Sequence, residues 1–203
     1  MLLLRHGQTT WNAERRWQGW ADAPLSPLGE QQALDAAAHL VGRGFTLVCS
    51  SDLSRARRTA ELLAGALGIG GHVFVDAGIR EHDVGVFQGR LSSELELEYP
   101  ECFGPDRDRR RPIPGAEDPA TFLERVLTSL VGLVERFPTD ELLVISHGGA
   151  IGAVERHLGL GRGTSVPNLG GRWLTIDPPA GSIVGGEAFT PIEPELVTAP
   201  ATE

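Results

Sequence analysis

Five side chains of this 203-residue chain have the types and placement to act together on one small anionic group: Arg5, His6, Arg55, Glu81 and His147. Arg5 and His6 follow the apolar run at residues 1–4 and precede Gly7. A short apolar run closed by glycine fits a buried strand, although periodicity alone does not separate it from a helix fragment. The pair then stands at the strand's carboxyl end, where open α/β sheets hold their ligands. An arginine clamps a dianion through its planar fork, and an adjacent imidazole is able to attack it. Alone, Arg-His-Gly reads more simply as a solvated strand end. The case therefore depends on partners elsewhere.

Those partners stand at other strand ends. The apolar run at residues 47–49 leads into Ser50-Ser51, and Arg55 follows in the first turn of a helix. The run beginning at Leu142 ends in Ser146-His147-Gly148 at another helix start, where free N–H groups and the positive dipole end favour an anion. Glu81 follows a third short strand, within Ile79-Arg80-Glu81-His82-Asp83. If these edges are adjacent, two arginines and two histidines surround one volume with a carboxyl group at its rim. That set suits phosphoryl transfer. Arginines neutralise phosphate oxygens, a neutral imidazole attacks phosphorus, and a carboxylic acid protonates the leaving oxygen. The histidines lack HExxH spacing and no cysteine pair joins them, so the chemistry calls for no metal and no cofactor.

The elements that must position these residues alternate. Residues 11–25 read as a loop, and Ser26-Pro27 then starts a helix whose apolar stripe is Leu34, Ala37, Ala38 and Val41, ended by Gly42 and Gly44. A strand at 47–50, a helix at about 53–67 closed by Gly68 and a short strand at 73–75 follow. Residues 78–117 are rich in glycine and proline, with one short helix near 92–99, and read as an excursion over the active edge. Asp118-Pro119 opens a long amphipathic helix with Phe122, Val126, Leu130 and Val134 on one face. A strand at 142–145, a helix at about 150–158 and late strands at 173–176 and 183–184 complete the pattern. The expected fold is α/β: a single three-layer αβα domain over residues 1–190, a mostly parallel open sheet with helices on both faces, and a loose tail at 191–203.

Bulk properties narrow the partners. The net charge of −9 argues against nucleic acid or an anionic membrane surface and favours a small phosphorylated substrate in a local positive pocket. Cys49 and Cys102 have no ligand spacing, and there is no signal-peptide pattern or membrane-length apolar run. A cytoplasmic protein is expected, with a homodimer through a sheet edge compatible with the pattern.

Four segments in order, RHGQTTWN at 5–12, SSDLSRARRTAE at 50–61, IREHDVG at 79–85 and VISHGGAI at 144–151, resemble the histidine phosphatase superfamily, the phosphoglycerate mutase-like proteins. The resemblance implies that His6 is the phosphorylated nucleophile. It implies that Arg5, Arg55 and His147 hold the phosphoryl group, with Glu81 as proton donor; Asp83, in the same loop, is the reserve acid. Asn12, Thr9, Gln18 and Gly19 match substrate- or phosphate-contacting positions, and Gly148 would offer a backbone N–H. The chain departs from the acid-phosphatase branch, which has an Asp where Gly148 stands. It also departs from mutases, which carry a lysine in the region of Leu91, Ser92 and Ser93. The first departure leaves the proton to come from elsewhere, with Glu81 the better candidate. The second, with a short middle insertion and no clear mutase-type cap in the tail, favours a phosphatase. Phosphoglycerate mutase is the alternative, and a non-catalytic phosphate-binding protein the more distant one.

Other candidates have plainer readings. His39 and His157 lie on helices and His72 at a strand start. His82 should point away from Glu81 by alternation. The run Arg107, Arg109, Arg110 and Arg111 reads first as a solvated loop; in the functional reading one or two of them cap the site and hold a second anionic group such as a substrate carboxylate. Glu117 reads as structural and the three early tryptophans as packing, with a pocket wall at Trp20 as the alternative.

Overall fold

The computed structural model describes residues 1–103, 111–161 and 165–191. Six strands form one sheet in the order β3-β2-β4-β1-β5-β6. They are β1 (Leu2–Arg5), β2 (Leu47–Ser50), β3 (Phe74–Val75), β4 (Leu142–Ser146), β5 (Gly171–Asp177) and β6 (Ser182–Phe189). Neighbours among β3, β2, β4 and β1 pair in parallel, while β5 pairs antiparallel with β1 and β6 antiparallel with β5. The sheet is thus mixed but mostly parallel at the site, as the alternating pattern predicts.

Strand alternation sorts the core into two layers. Leu2 and Leu4 of β1, Val48 of β2, and Leu143 and Ile145 of β4 pack against α2 (Pro27–Leu40) and α3 (Ser54–Leu67). Leu3, Cys49, Leu142 and Val144 face α5 (Pro119–Arg136) and α6 (Gly148–His157). Each fully buried leucine is worth about 1.5–3 kcal/mol over an exposed one. A polar residue in β1 or β4 would therefore be costly.

Caps fall where the residue types demand. Ser26 and Asp118 accept backbone N–H bonds ahead of Pro27 and Pro119, and Gly68 closes α3 at φ 68. Other expectations are corrected. Thr10–Ala13 is a short helix, α1, overlapping the start of the stretch read as loop, because Thr9 and Asn12 form a reciprocal cap. The buried face of α2 is Ala33, Ala36, Ala37 and Leu40, with Leu34 and Val41 exposed. Close packing on Ala56, Ala60 and Ala64 of α3 selects the alanines over the bulkier residues. Helix α6 starts at Gly148, earlier than its Gly-Gly sequence suggests, and β5 and β6 are longer than expected because they pair with each other.

The excursion carries its own small core. Val84, Phe87, Leu95 and Cys102 are buried together, backed by Trp17, Tyr99, Phe103 and Ile113. Within it, α4 (Ser92–Glu98) supplies Leu95. The proposed tail at 191–203 lies, after Pro191, outside the described residues, as do Arg107, Arg109 and Arg110. Arg111 is exposed, and its N–H donates to the Glu101 carbonyl.

Candidate active site

Sheet register brings the two histidines together. Arg5 pairs with Ser146 across β1 and β4, so His6 and His147 each leave the sheet one residue later, on adjacent strands. The His6 N–H donates to the Ser146 carbonyl at 3.0 Å, and the two rings meet edge to face with centroids 5.2 Å apart. Both are buried.

His6 Nδ1 lies 2.7 Å from the Gly7 carbonyl. A carbonyl only accepts, so Nδ1 carries the hydrogen and Nε2 carries the lone pair in the neutral ring. Burial holds the imidazole well below the usual histidine range, and the positive charges of Arg55 and Arg5 push the same way against the Gly7 bond. The result at neutral pH is an uncharged ring with a defined tautomer. Gly7 has a strict steric role: a Cβ there would collide with the Gly29 carbonyl at the start of α2. Its N–H donates to the Thr59 hydroxyl at 3.1 Å, and that hydroxyl donates to the Arg55 carbonyl at 2.7 Å.

Arg55 is 1% exposed. Its Nη1 donates to the Ala21 carbonyl at 2.7 Å and its Nη2 to Gly19 at 2.8 Å, which aims the remaining Nε edge. Burial lowers it to about 10, opposed by Glu81 and Asp22 and assisted by Arg5, so it stays charged at neutral pH. Arg5 donates through Nη1 to the Val166 carbonyl at 2.6 Å and is likewise lowered by burial, with Glu81 opposing. His147, the N-cap of α6, is held well below its ordinary range by burial first, then by Arg55, His6, Arg5 and Arg125.

Four buried nitrogens have no hydrogen-bond partner among the described residues: Arg5 Nε, Arg55 Nε, and Nδ1 and Nε2 of His147. Leaving a buried donor unpaired costs about 1–3 kcal/mol or more. Two arginines and an imidazole at the opening of a helix make a site for a compact oxyanion.

Glu81 closes the set. Its carboxylate accepts the His82 N–H at 2.8 Å on Oε1 and the Gly149 N–H at 2.9 Å on Oε2. The structure thus brings Arg5, His6, Arg55, Glu81 and His147 into one cluster whose charges act on each other. His82 turns away as alternation predicts, its ring against Phe122 and its Nε2 donating to the Glu117 carbonyl. The reserve acid Asp83 caps a turn by accepting the Gly85 N–H, and His39, His72 and His157 are exposed.

Of the remaining predicted positions, Gly19 and Gly148 touch the two arginines, while Thr9, Asn12 and Gln18 bond to one another. Thr9 and Asn12 cap α1, with the Thr9 N–H on Asn12 Oδ1 and the Asn12 N–H on the Thr9 hydroxyl, which itself donates to Gln18 Oε1. Gly19, at φ 52, presents its carbonyl to Arg55. Gly148 lies against the Arg5 side chain, and the backbone N–H that reaches the acid is that of Gly149. Trp20 is 38% exposed, and its indole N–H donates to the Glu81 carbonyl at 2.8 Å.

Three contributors escaped the sequence reading. Thr59 had a signal, one turn after Arg55 on the same helix face. Asn168, which donates to the His6 carbonyl at 2.9 Å, and Arg125, which reaches the backbone around Glu81, had none, because both act across long sequence separations.

The fold and these segments have counterparts. A probable phosphoglycerate mutase, GpmB, of Salmonella paratyphi B is 40% identical over 158 residues, which is 76% of this chain and 72% of that protein. A mycobacterial glucosyl-3-phosphoglycerate phosphatase solved with VO3 is 29% identical, with a TM-score of 0.71 over 86% of this chain and 92% of its own. Phosphoserine phosphatase of Entamoeba histolytica, in complex with 3-phosphoglyceric acid, is 25% identical with a TM-score of 0.75, covering 93% and 95%. The model of the histidine phosphatase superfamily (branch 1) matches residues 1–173, and the chain belongs to that family.

Proposed function

We propose that this chain is a metal-independent phosphomonoesterase that hydrolyses a small phosphorylated metabolite through a phosphohistidine on His6. One observation carries the reading: a neutral His6, with its lone pair on Nε2, stands beside buried donor nitrogens of Arg5, Arg55 and His147 that lack partners among the described residues. The phosphate oxygens accept from those nitrogens, which favour the charge of the transition state. His6 Nε2 attacks phosphorus, the ester P–O bond breaks, and Glu81 gives its proton to the leaving oxygen. Water then attacks the phosphohistidine, the P–N bond breaks, and Glu81 takes the water's proton as inorganic phosphate leaves. No described helix is long and apolar enough to cross a membrane.

Quenching a turnover with a 32P-labelled phosphomonoester is the test: label on His6 is expected, with none in His6→Ala. Full activity in His6→Ala, or loss of activity to a strong chelator, overturns the mechanism. The mutase reading has the name of the Salmonella relative behind it. Product analysis separates the two, because a phosphatase releases inorganic phosphate from 3-phosphoglycerate or phosphoserine and a mutase returns an isomerised ester.

A further inference from the structure

Glu81 belongs to no strand or α-helix. It follows the turn Ala77–Ile79 on an irregular stretch, so ladder hydrogen bonds do not hold it. Two side chains hold its backbone: Trp20, whose indole N–H donates to the Glu81 carbonyl at 2.8 Å, and Arg125, in the second turn of α5, which spans the stretch on either side. Arg125 Nη1 donates to the Gly78 carbonyl at 2.8 Å and to Arg80 at 3.2 Å, and Nη2 donates to the Glu81 carbonyl at 3.3 Å. Its other edge is clamped by Glu117, with Nε and Nη2 on the two carboxylate oxygens at 2.9 and 2.7 Å. Glu117 is itself tied to the same stretch, since its N–H donates to the Asp83 carbonyl at 3.0 Å.

We propose that Arg125, oriented by Glu117, is the positioning residue that sets Glu81 at the leaving oxygen. The inference rests on the proposed acid role of Glu81. A planar guanidinium presents donors along several edges in fixed directions, which is what spanning three carbonyls and a carboxylate requires. The half-buried carbonyls need those donors, and with them in place the Cα of Glu81 has a defined position. A shift of about 1 Å in a reacting group costs up to about 100-fold in rate. The side chain is 21% exposed and Glu117 is 12% exposed, so water competes little for the pair.

The leaving group supplies the test. 4-Nitrophenolate departs without a proton, whereas phenolate, from a phenol of pKa about 10, gains from an acid. We therefore compare kcat/KM on phenyl phosphate and 4-nitrophenyl phosphate for the wild type, Glu81→Gln, Arg125→Ala and Arg125→Lys. Both Arg125 variants are expected to follow Glu81→Gln, losing at least about tenfold on phenyl phosphate and under about threefold on 4-nitrophenyl phosphate. The retained 4-nitrophenyl activity also reports a folded site. Equal losses on both esters, or an Arg125→Lys variant that matches the wild type, overturn the positioning role while Glu81→Gln keeps its selectivity. If Glu81→Gln itself shows no selectivity, the acid assignment fails instead. Should Arg125→Ala not fold, Arg125→Lys carries the comparison.

Discussion

Gly149 and Glu81 fit together without room for a side chain between them. The Gly149 N–H donates to Glu81 Oε2 at 2.9 Å, and a Cβ at position 149 would collide with the other carboxylate oxygen. The start of α6 and the proposed acid are therefore a single steric unit. Gly149→Ala is expected to turn the Glu81 carboxyl away and lower kcat/KM on phenyl phosphate by roughly 10- to 100-fold. Alanine favours the helix by up to about 1 kcal/mol, so the melting temperature should fall little. Steady-state kinetics with thermal melting checks both halves.

Orthovanadate, a phosphate-shaped oxyanion, should stabilise the wild type by mass action. At a concentration about 100 times Kd the gain is about 2.7 kcal/mol, which in a domain of this size raises Tm by roughly 5–10 °C. Arg55→Ala removes a buried guanidinium and leaves the Gly19 and Ala21 carbonyls without its donors. That variant should melt lower and lose most of the vanadate response. A full response in Arg55→Ala would move the anion site elsewhere.

The buried histidines make the fold acid-sensitive. His6 and His147 are both held well below 6.5 by burial, then by the charges around them. Below about pH 6.5 the unfolded chain takes up protons that the folded chain does not, so stability falls as pH falls, by up to about 1.4 kcal/mol per pH unit for each group. His147→Gln should flatten the decline in Tm between pH 7 and 5.5. An unchanged slope would show that other groups cause it.

Phe87→Ala tests the excursion's independence. Phe87 is buried against Trp17, Tyr99 and Phe103, with centroids 5.3–5.7 Å away, in a core separate from the two layers on the sheet. Removing the ring costs about 3–5 kcal/mol where it packs. Faster proteolytic nicking within residues 78–117 and a raised KM are expected. A large fall in global Tm with no change in nicking would show the excursion and the main core to be one cooperative unit.

The parts of this molecule legible in the sequence are those set by near neighbours. Ser26-Pro27 and Asp118-Pro119 mark helix starts because cap and first-turn chemistry acts within a few residues. The runs in β1, β2 and β4 are legible because burial on both faces demands uninterrupted apolar residues. The buried stripe of α2 is not legible, for the opposite reason. Which of its faces is buried depends on how closely α3 approaches, and alanines win there only because the partner helix also presents alanines.

The sequence by itself determined the chemistry on offer: an Arg-His pair, a second arginine, a second histidine and a carboxylic acid, each beside a strand end or helix start. Tertiary structure decided the state and aim of those groups. The register of β1 on β4 sets His6 beside His147, and burial makes both rings neutral. The carbonyl of Gly7 chooses which nitrogen of His6 carries the lone pair. Arg125 reaches the Gly78 carbonyl across 47 residues of sequence, and Gly149 meets Glu81 across 68. Hydrogen bonds at such separations leave no local pattern, because only the packed layers bring their partners within reach.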